Sequence, residues 1–322
     1  MSFAFRNLFA VALLATPISC STSSSAPFED EAAQRETTSV LLDIPSRIQW
    51  PNDHGYCGET SIQSIALYYG AWISQAVVRD VAGSEVLLGD NETKALDKLN
   101  FEFDDWKRKK DEDQFEDFAV WLKGHLADGH PTIFTVYLTD GTNDDDYDHI
   151  MPAIGIESRH GKKYDGDDVL TFHNNFGDEL RRTFKSLSAS RKKCGFDSSE
   201  GGCIPKDVDY GTAVTGIVDK RHVTLPTRLV VSSNSEPNVS KHEASVAMRG
   251  TVTVSQLTAG KSYALLRYGD ADDVPRDQSA KDFLDSKYES RVDFVASGEE
   301  WTYTDPKTFR SDGVVFYRTV PR

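Results

Sequence analysis

The order of apolar and polar positions predicts helices early in the chain and strands later. Apolar residues recur at helical spacing from Cys57 or Gly58, from Glu92 and from Phe115, so we expect a helix at each place. Short apolar runs bounded by turn residues then predict three strands, Thr132–Leu138, His149–Ile156 and Val169–His173. Helices followed by consecutive strands favour an α+β fold over a parallel sheet with crossover helices.

The last hundred residues carry a different pattern, of short β-branched or aromatic runs between turn residues. These runs predict strands at Arg228–Ser232, Ala244–Val254, Tyr263–Tyr268, Val292–Ala296 and Val314–Val320. Residues 270–291 interrupt them as a charged loop or a short helix. We therefore expect a mixed domain over residues 27–222, loose up to residue 40, and a small all-β sandwich over residues 223–322. Within the latter, the segment TVTVSQLTAGKSYALLRY resembles the strand–turn–strand of a fibronectin-like module.

The first 26 residues have the pattern of a secretory signal peptide. Arg6 is the only charge before Glu29, a short apolar stretch follows it, and small polar residues continue to Ala26. Residues 1–26 are therefore expected to be a signal peptide, and the protein is expected to be secreted. A lipid anchor on Cys20 at the cell surface is the less favoured alternative.

Composition and charge narrow the class of protein further. The chain has 322 residues, and the hydrophobic share of 39% supplies enough apolar material for packed cores, so a wholly disordered chain is excluded. With 51 acidic against 36 basic residues the net charge is −15, which argues against nucleic acid as a partner. No apolar run reaches the roughly 20 residues of a membrane span. We expect a monomer.

Apart from Cys20 in the expected signal peptide, the cysteines separate into a structural pair and a single thiol. Cys194 and Cys203 lie in a loop rich in Gly, Ser and Lys, and in an oxidising compartment they would form a disulfide. Cys57 then stays free. No cysteines and histidines have zinc-site spacing, so we predict neither a metal nor a cofactor. The acidic run Asp144–Asp148 could bind Ca²⁺, but a solvated loop is the favoured interpretation.

The surroundings of Cys57 are typical of a nucleophile. A turn-rich segment delivers this residue to the first turn of an amphipathic helix, where unpaired amides would lower the pKa of the thiol. Gly55 would let a substrate approach closely, and Gln49 could donate a hydrogen bond to a developing oxyanion. Trp50 and Tyr56 would line a substrate groove or pack beneath the helix. The alternative for Cys57 is a buried structural residue in a helix cap.

A nucleophilic cysteine needs a base, and His149 is the best candidate. It stands at the start of an apolar strand, and Asn174 follows the next strand along the chain. Two adjacent antiparallel strands could bring them together, so that Asn174 accepts the other ring N–H of the histidine. Asn175 is an alternative for this role.

The segments GYCGET, FAVWLKGHLADGHPTIFTVY, DHIMPAIGI and TFHNNFG together resemble a papain-like cysteine peptidase. The compact branch similar to bacteriocin-processing peptidases, peptidase family thirty-nine, is the best match and covers roughly residues 41–180. The resemblance implies a cysteine-bearing helix packed on an antiparallel sheet. It also implies Cys57 as nucleophile, His149 as base, Asn174 as orienting residue and Gln49 as oxyanion donor.

These observations predict a secreted cysteine peptidase that hydrolyses a peptide or protein substrate. Two alternatives stay open. The same residues could carry out amidase or acyl-transfer chemistry on a non-protein amide, because one fold hosts many reactions. The chain could also be an inactive secreted binding protein whose β-sandwich is the working surface.

Overall fold

The fold is known from a computed structural model, which describes residues 37–51, 55–83, 90–109, 112–138, 147–189, 202–208, 210–276 and 278–322. In these residues helices are combined with open, mainly antiparallel sheets, which confirms the predicted mixed α+β class. The predicted signal peptide and Cys20 lie outside the described residues. Among the described residues, no helix is both long and apolar enough to cross a membrane.

The helices follow the predicted apolar spacing where that spacing is strong. They are α1 (Cys57–Tyr68), α2 (Gln75–Ala82), α3 (Asp90–Lys98), α4 (Phe115–Ala127), α5 (Phe184–Leu187) and α6 (Ala280–Asp285). The first helix stops before Gly70, which has a left-handed φ of +71°. A Cβ there would lie 2.8 Å from the carbonyl oxygen of Thr227, so only glycine fits.

The strands match those predicted, except that Ala244–Val254 forms two separate short strands instead of one, and several other short strands were not predicted. In chain order they are β1 (Thr38–Leu41), β2 (Ala71–Ile73), β3 (Phe101–Asp105), β4 (Thr132–Leu138), β5 (Tyr147–Ser158), β6 (Val169–His173), β7 (Glu179–Thr183), β8 (Ser188–Ala189), β9 (Ile204–Pro205), β10 (Gly211–Ile217), β11 (Thr227–Val231), β12 (Ala247–Met248), β13 (Gly250–Val254), β14 (Ser262–Tyr268), β15 (Ser290–Val295), β16 (Trp301–Thr304), β17 (Phe309–Arg310) and β18 (Val314–Pro321). Strand β1 pairs with β5, so the expectation that the chain is loose up to residue 40 is wrong from Thr38 onward.

The largest sheet carries helices on both of its faces. Its strands run in the order β3-β10-β4-β5-β6-β7, and every pairing in it is antiparallel. Side chains alternate across β5, so Ile150 joins a core cluster with Ile62 of α1, whereas Met151 joins another with Phe118 of α4. Burial of both faces holds α1 against the sheet at β5.

The strand-rich C-terminal part shares a sheet and a core with the rest of the chain. In the sheet β15-β14-β18-β2, the edge strand β2 comes from residues 71–73. Leu67 and Trp72 lie in the same core cluster as Leu229 and Val252. The short helix α6 falls in the predicted interruption over residues 270–291. The described residues group as one compact unit, and the division at residue 222 stays a prediction.

One buried carboxyl on α3 makes stability depend on pH. Glu92 is fully buried, and neither of its oxygens has a hydrogen-bond partner among the described residues. Burial raises the pKa of Glu92 well above its ordinary value of 4.5, and the negative charges of Asp105 and Glu59 raise it further. The native state therefore keeps a proton that the unfolded chain has lost, so the free energy of unfolding falls as pH rises above that value.

We expect Glu92→Gln to remove this dependence, because a neutral amide cannot ionise. The free energy of unfolding of the variant, relative to that of the wild type, should rise by about 1.4 kcal/mol for each pH unit above the ordinary glutamate pKa, until the pKa of Glu92 in the folded state is reached. Urea unfolding at pH 5 and pH 8 measures the difference. The exposed Glu300→Gln is the matched control and should change little. Equal stabilities of variant and wild type at both pH values would contradict the expectation.

Candidate active site

Cys57 is the first residue of α1 and a free, half-buried thiol. The N-cap residue, Tyr56, makes no side-chain hydrogen bond to the first turn of the helix. Burial raises the pKa of Cys57 to about 11, while hydrogen bonds with the backbone of Ile150 and Gly58 oppose the rise. The expectation of a lowered pKa is therefore wrong for the resting site, because burial outweighs the helix N-terminus. The contact with Ile150 places the sulfur against β5, one residue from His149.

His149 is buried on β5 and fixed by one hydrogen bond. Its Nε2 donates to the main-chain carbonyl of Asn174 at 2.8 Å, so the proton of the neutral ring lies on Nε2. The other ring nitrogen, Nδ1, is buried and has no hydrogen-bond partner among the described residues. Phe176 stacks on the imidazole with 5.2 Å between ring centroids and 9° between planes. Burial lowers the pKa of His149 to about 4.

Asn174 contacts His149 through its main chain and not through its side chain. The side-chain oxygen accepts from the main-chain N–H groups of Phe176, at 2.9 Å, and Asp178, at 3.1 Å. Its Nδ2 donates to the Asp178 carboxylate at 3.1 Å. The amide therefore shapes the turn after β6, and the carbonyl holds the imidazole. The sequence predicts the pair of residues but not the atoms that meet.

Asn175 places its side chain between α1 and β5. The Nδ2 of this fully buried residue donates to the carbonyls of Cys57, at 2.9 Å, and Ile150, at 2.8 Å, and lies 2.9 Å from Oγ of Ser61. Its φ of 59° is left-handed, a conformation that asparagine adopts more readily than most residues. Named from the sequence only as an alternative orienting residue, Asn175 instead fixes the main chain of the cysteine.

Gln49 is tied to the same turn. Its main-chain N–H donates to the Asn175 carbonyl at 2.9 Å, and the neighbouring Ile48 forms an antiparallel bridge with Phe176. The side-chain oxygen of Gln49 is buried and has no hydrogen-bond partner among the described residues. The structure thus brings Gln49, Cys57 and His149 to one turn, residues 174–176.

The three residues predicted to bind substrate have different surroundings. Trp50 and Tyr56 are 3% and 5% exposed, and their rings meet edge to face at 5.0 Å. The guanidinium of Arg79 lies 3.7 Å from the centroid of the Tyr56 ring. These contacts match the second interpretation, packing beneath the helix. Gly55 has a φ of +58°, and a Cβ added to it would meet nothing within 4 Å, so it borders open space.

Other predicted features are only partly described. Cys203 is fully buried, but Cys194 lies outside the described residues, so the disulfide stays a prediction. Residues 139–146, which hold most of the acidic run, also lie outside. Within the described ranges, one group could present three metal ligands close together, namely His160, Asp165 and Asp168. Asp168 already pairs with the buried Lys123 at 2.7 Å.

Comparison with known proteins leaves this geometry as the basis for a function. No protein-family model matches the chain, and no curated protein matches it in sequence.

Proposed function

We propose that this protein is a secreted cysteine peptidase of the papain-like type, with Cys57 as nucleophile and His149 as base. The observation that carries the proposal is the turn at residues 174–176, which contacts Cys57, His149 and the main chain of Gln49 at once. The helix that begins at the cysteine and packs on an antiparallel sheet supports the papain-like fold.

The reaction begins with a neutral thiol and a neutral imidazole. As the sulfur of Cys57 attacks the peptide carbonyl, a C–S bond forms and Nδ1 of His149 takes the thiol proton. The carbonyl electron pair moves onto oxygen. The side-chain amide of Gln49 and the main-chain N–H of Cys57 donate hydrogen bonds to this oxyanion. The Asn174 carbonyl, at Nε2, stabilises the positive charge on the ring.

Collapse of this intermediate completes the acyl transfer. The C–N bond breaks as His149 gives its proton to the leaving amine, and an acyl-Cys57 thioester remains. A water molecule then attacks the thioester while His149 accepts its proton. The C–S bond breaks, the acid product leaves, and the released thiolate regains the proton from the imidazole. Each proton thus passes through Nδ1, the ring nitrogen that has no hydrogen-bond partner among the described residues.

We expect Cys57→Ser and His149→Ala each to lower hydrolysis of a peptide library by at least about 10²-fold, since each removes a group that reacts. His242→Ala, at an exposed histidine, is the matched control and should retain full activity. Mass spectrometry of the cleaved peptides measures the rates and separates hydrolysis from acyl transfer. Wild-type activity in Cys57→Ser would contradict the proposal.

The pH dependence of kcat/KM tests whether the resting pair is neutral. With a pKa of about 4 for His149 and about 11 for Cys57, both groups keep their neutral forms across the range between. We therefore expect kcat/KM to stay level from about pH 5 to about pH 9 and to fall only as His149 becomes protonated in acid. An uncharged peptide substrate avoids titration of the substrate. A loss of activity between about pH 7 and about pH 9 would indicate a thiolate–imidazolium pair instead.

A further inference from the structure

The main chain on both sides of Gln49 is held by one side chain. The carboxamide of Gln75 accepts a hydrogen bond from the N–H of Trp50 at 3.0 Å and donates one to the carbonyl of Ile48 at 3.1 Å. These two bonds hold the main chain on either side of Gln49 and do not involve the side chain of Gln49. The position of the Gln49 side-chain amide therefore depends on the position of Gln75.

Gln75 is in turn held by a carboxylate from the C-terminal part of the chain. Oε1 of Glu236 accepts from the main-chain N–H of Gln75 at 3.1 Å and lies 3.3 Å from Nε2 of Gln63. Gln75 is the first residue of α2, where a negative charge is favoured by the helix dipole. The carbonyl of Glu236 also accepts from Nε1 of Trp50 at 3.2 Å.

The residues before Glu236 add contacts to the same segment. The N–H of Ile48 donates to the carbonyl of Asn234 at 2.9 Å, and a guanidinium nitrogen of Arg47 donates to the carbonyl of Ser233. Residues 233–236 therefore contact the stretch 47–50 at several points. They come from the loop that follows β11, far from Gln49 in sequence.

The N-terminus of α2 favours a carboxylate at this position, but burial of the charge opposes it. Glu236 is 8% exposed, and its Oε2 has no hydrogen-bond partner among the described residues. Burial raises the pKa of Glu236 to about 7, although the charge of Arg47 opposes the rise, while Asp312 adds to it. A buried and incompletely paired charge commonly destabilises a fold relative to an apolar residue of similar size.

We propose that Glu236 is a positioning residue for hydrolysis, which acts through Gln75 to hold Gln49 where it donates to the oxyanion. The inference rests on the proposed function and deepens it. It gives the C-terminal part of the chain a role in catalysis, because the loop after β11 supports one wall of the site. Glu236 itself touches neither Cys57 nor His149 among the contacts of the described residues.

The test compares Glu236→Ala, Glu236→Gln and the control Glu243→Ala. Glu243 is exposed in the same part of the chain and accepts a hydrogen bond from the N–H of Asn238. Because the oxyanion contact acts in the transition state, we expect Glu236→Ala to lower kcat about 10- to 100-fold with KM little changed. Glu236→Gln keeps an oxygen that accepts from Gln75, so it should stay within about threefold of the wild type.

Two further readouts separate positioning from general damage. Alkylation of Cys57 by iodoacetamide needs no oxyanion donor, so its rate in Glu236→Ala should stay close to that of the wild type. In a Gln49→Ala background, Glu236→Ala should lower kcat no further, because the two residues act as one unit. An additive loss, a parallel loss of alkylation, or an unchanged kcat would each overturn the proposal.

Hydrogen exchange distinguishes failure of this inference from failure of the proposed function. Amides of residues 48–50 should exchange faster in Glu236→Ala than in the wild type or in Glu243→Ala, whether or not a substrate is cleaved. Unchanged exchange would overturn the positioning role. If exchange quickens but the wild type cleaves no peptide, the segment is held as described and the peptidase proposal is what fails.

Discussion

The buried carboxamide of Asn175 is the interaction on which the rest of the site depends. It joins the carbonyl of Cys57, at the start of α1, to the carbonyl of Ile150 on β5. The hydroxyl of Ser61 also donates to both carbonyls, at 2.8 and 3.4 Å, and accepts from the same amide, so Asn175 and Ser61 together join the helix to the strand. The left-handed turn at Asn175 also lets its neighbours reach His149, by the carbonyl of Asn174 on one side and the ring of Phe176 on the other.

In the proposed reaction, burial decides the protonation states of Cys57 and His149. Removal from water favours the neutral thiol of Cys57 and the neutral ring of His149, and the hydrogen bonds of the site only partly oppose this. Charge is therefore expected to develop during the attack itself. Preorganised donors matter most in such a reaction, since the oxyanion forms in a site of low dielectric. The hydrogen bonds that join Glu236 to Gln75 and Gln75 to Trp50 are consistent with such a preorganised donor at Gln49.

Local pattern was enough to predict much of the fold, and long-range contacts account for most of what was missed. The bounds of α1 and β4 follow from apolar spacing and nearby glycines. The pairing of β2 with β18 could not be predicted, because three residues carry no pattern and their partner lies at the other end of the chain. Cys57, His149 and Gln49 could be named from sequence, but whether the carbonyl or the amide of Asn174 meets the imidazole depends on a turn conformation. The contact between Gln75 and Glu236 joins residues 161 positions apart, and no local signal marks it.

Trapping of the proposed acyl-enzyme shows directly whether Cys57 is the nucleophile. Wild-type protein would be mixed with an activated peptide ester, quenched in acid within seconds and examined by intact-mass and peptide-mapping spectrometry. If Cys57 is the nucleophile, an added acyl mass should be found on Cys57 and should disappear as product forms. An acyl group on another residue, or turnover of the ester with no thioester at Cys57, would contradict it.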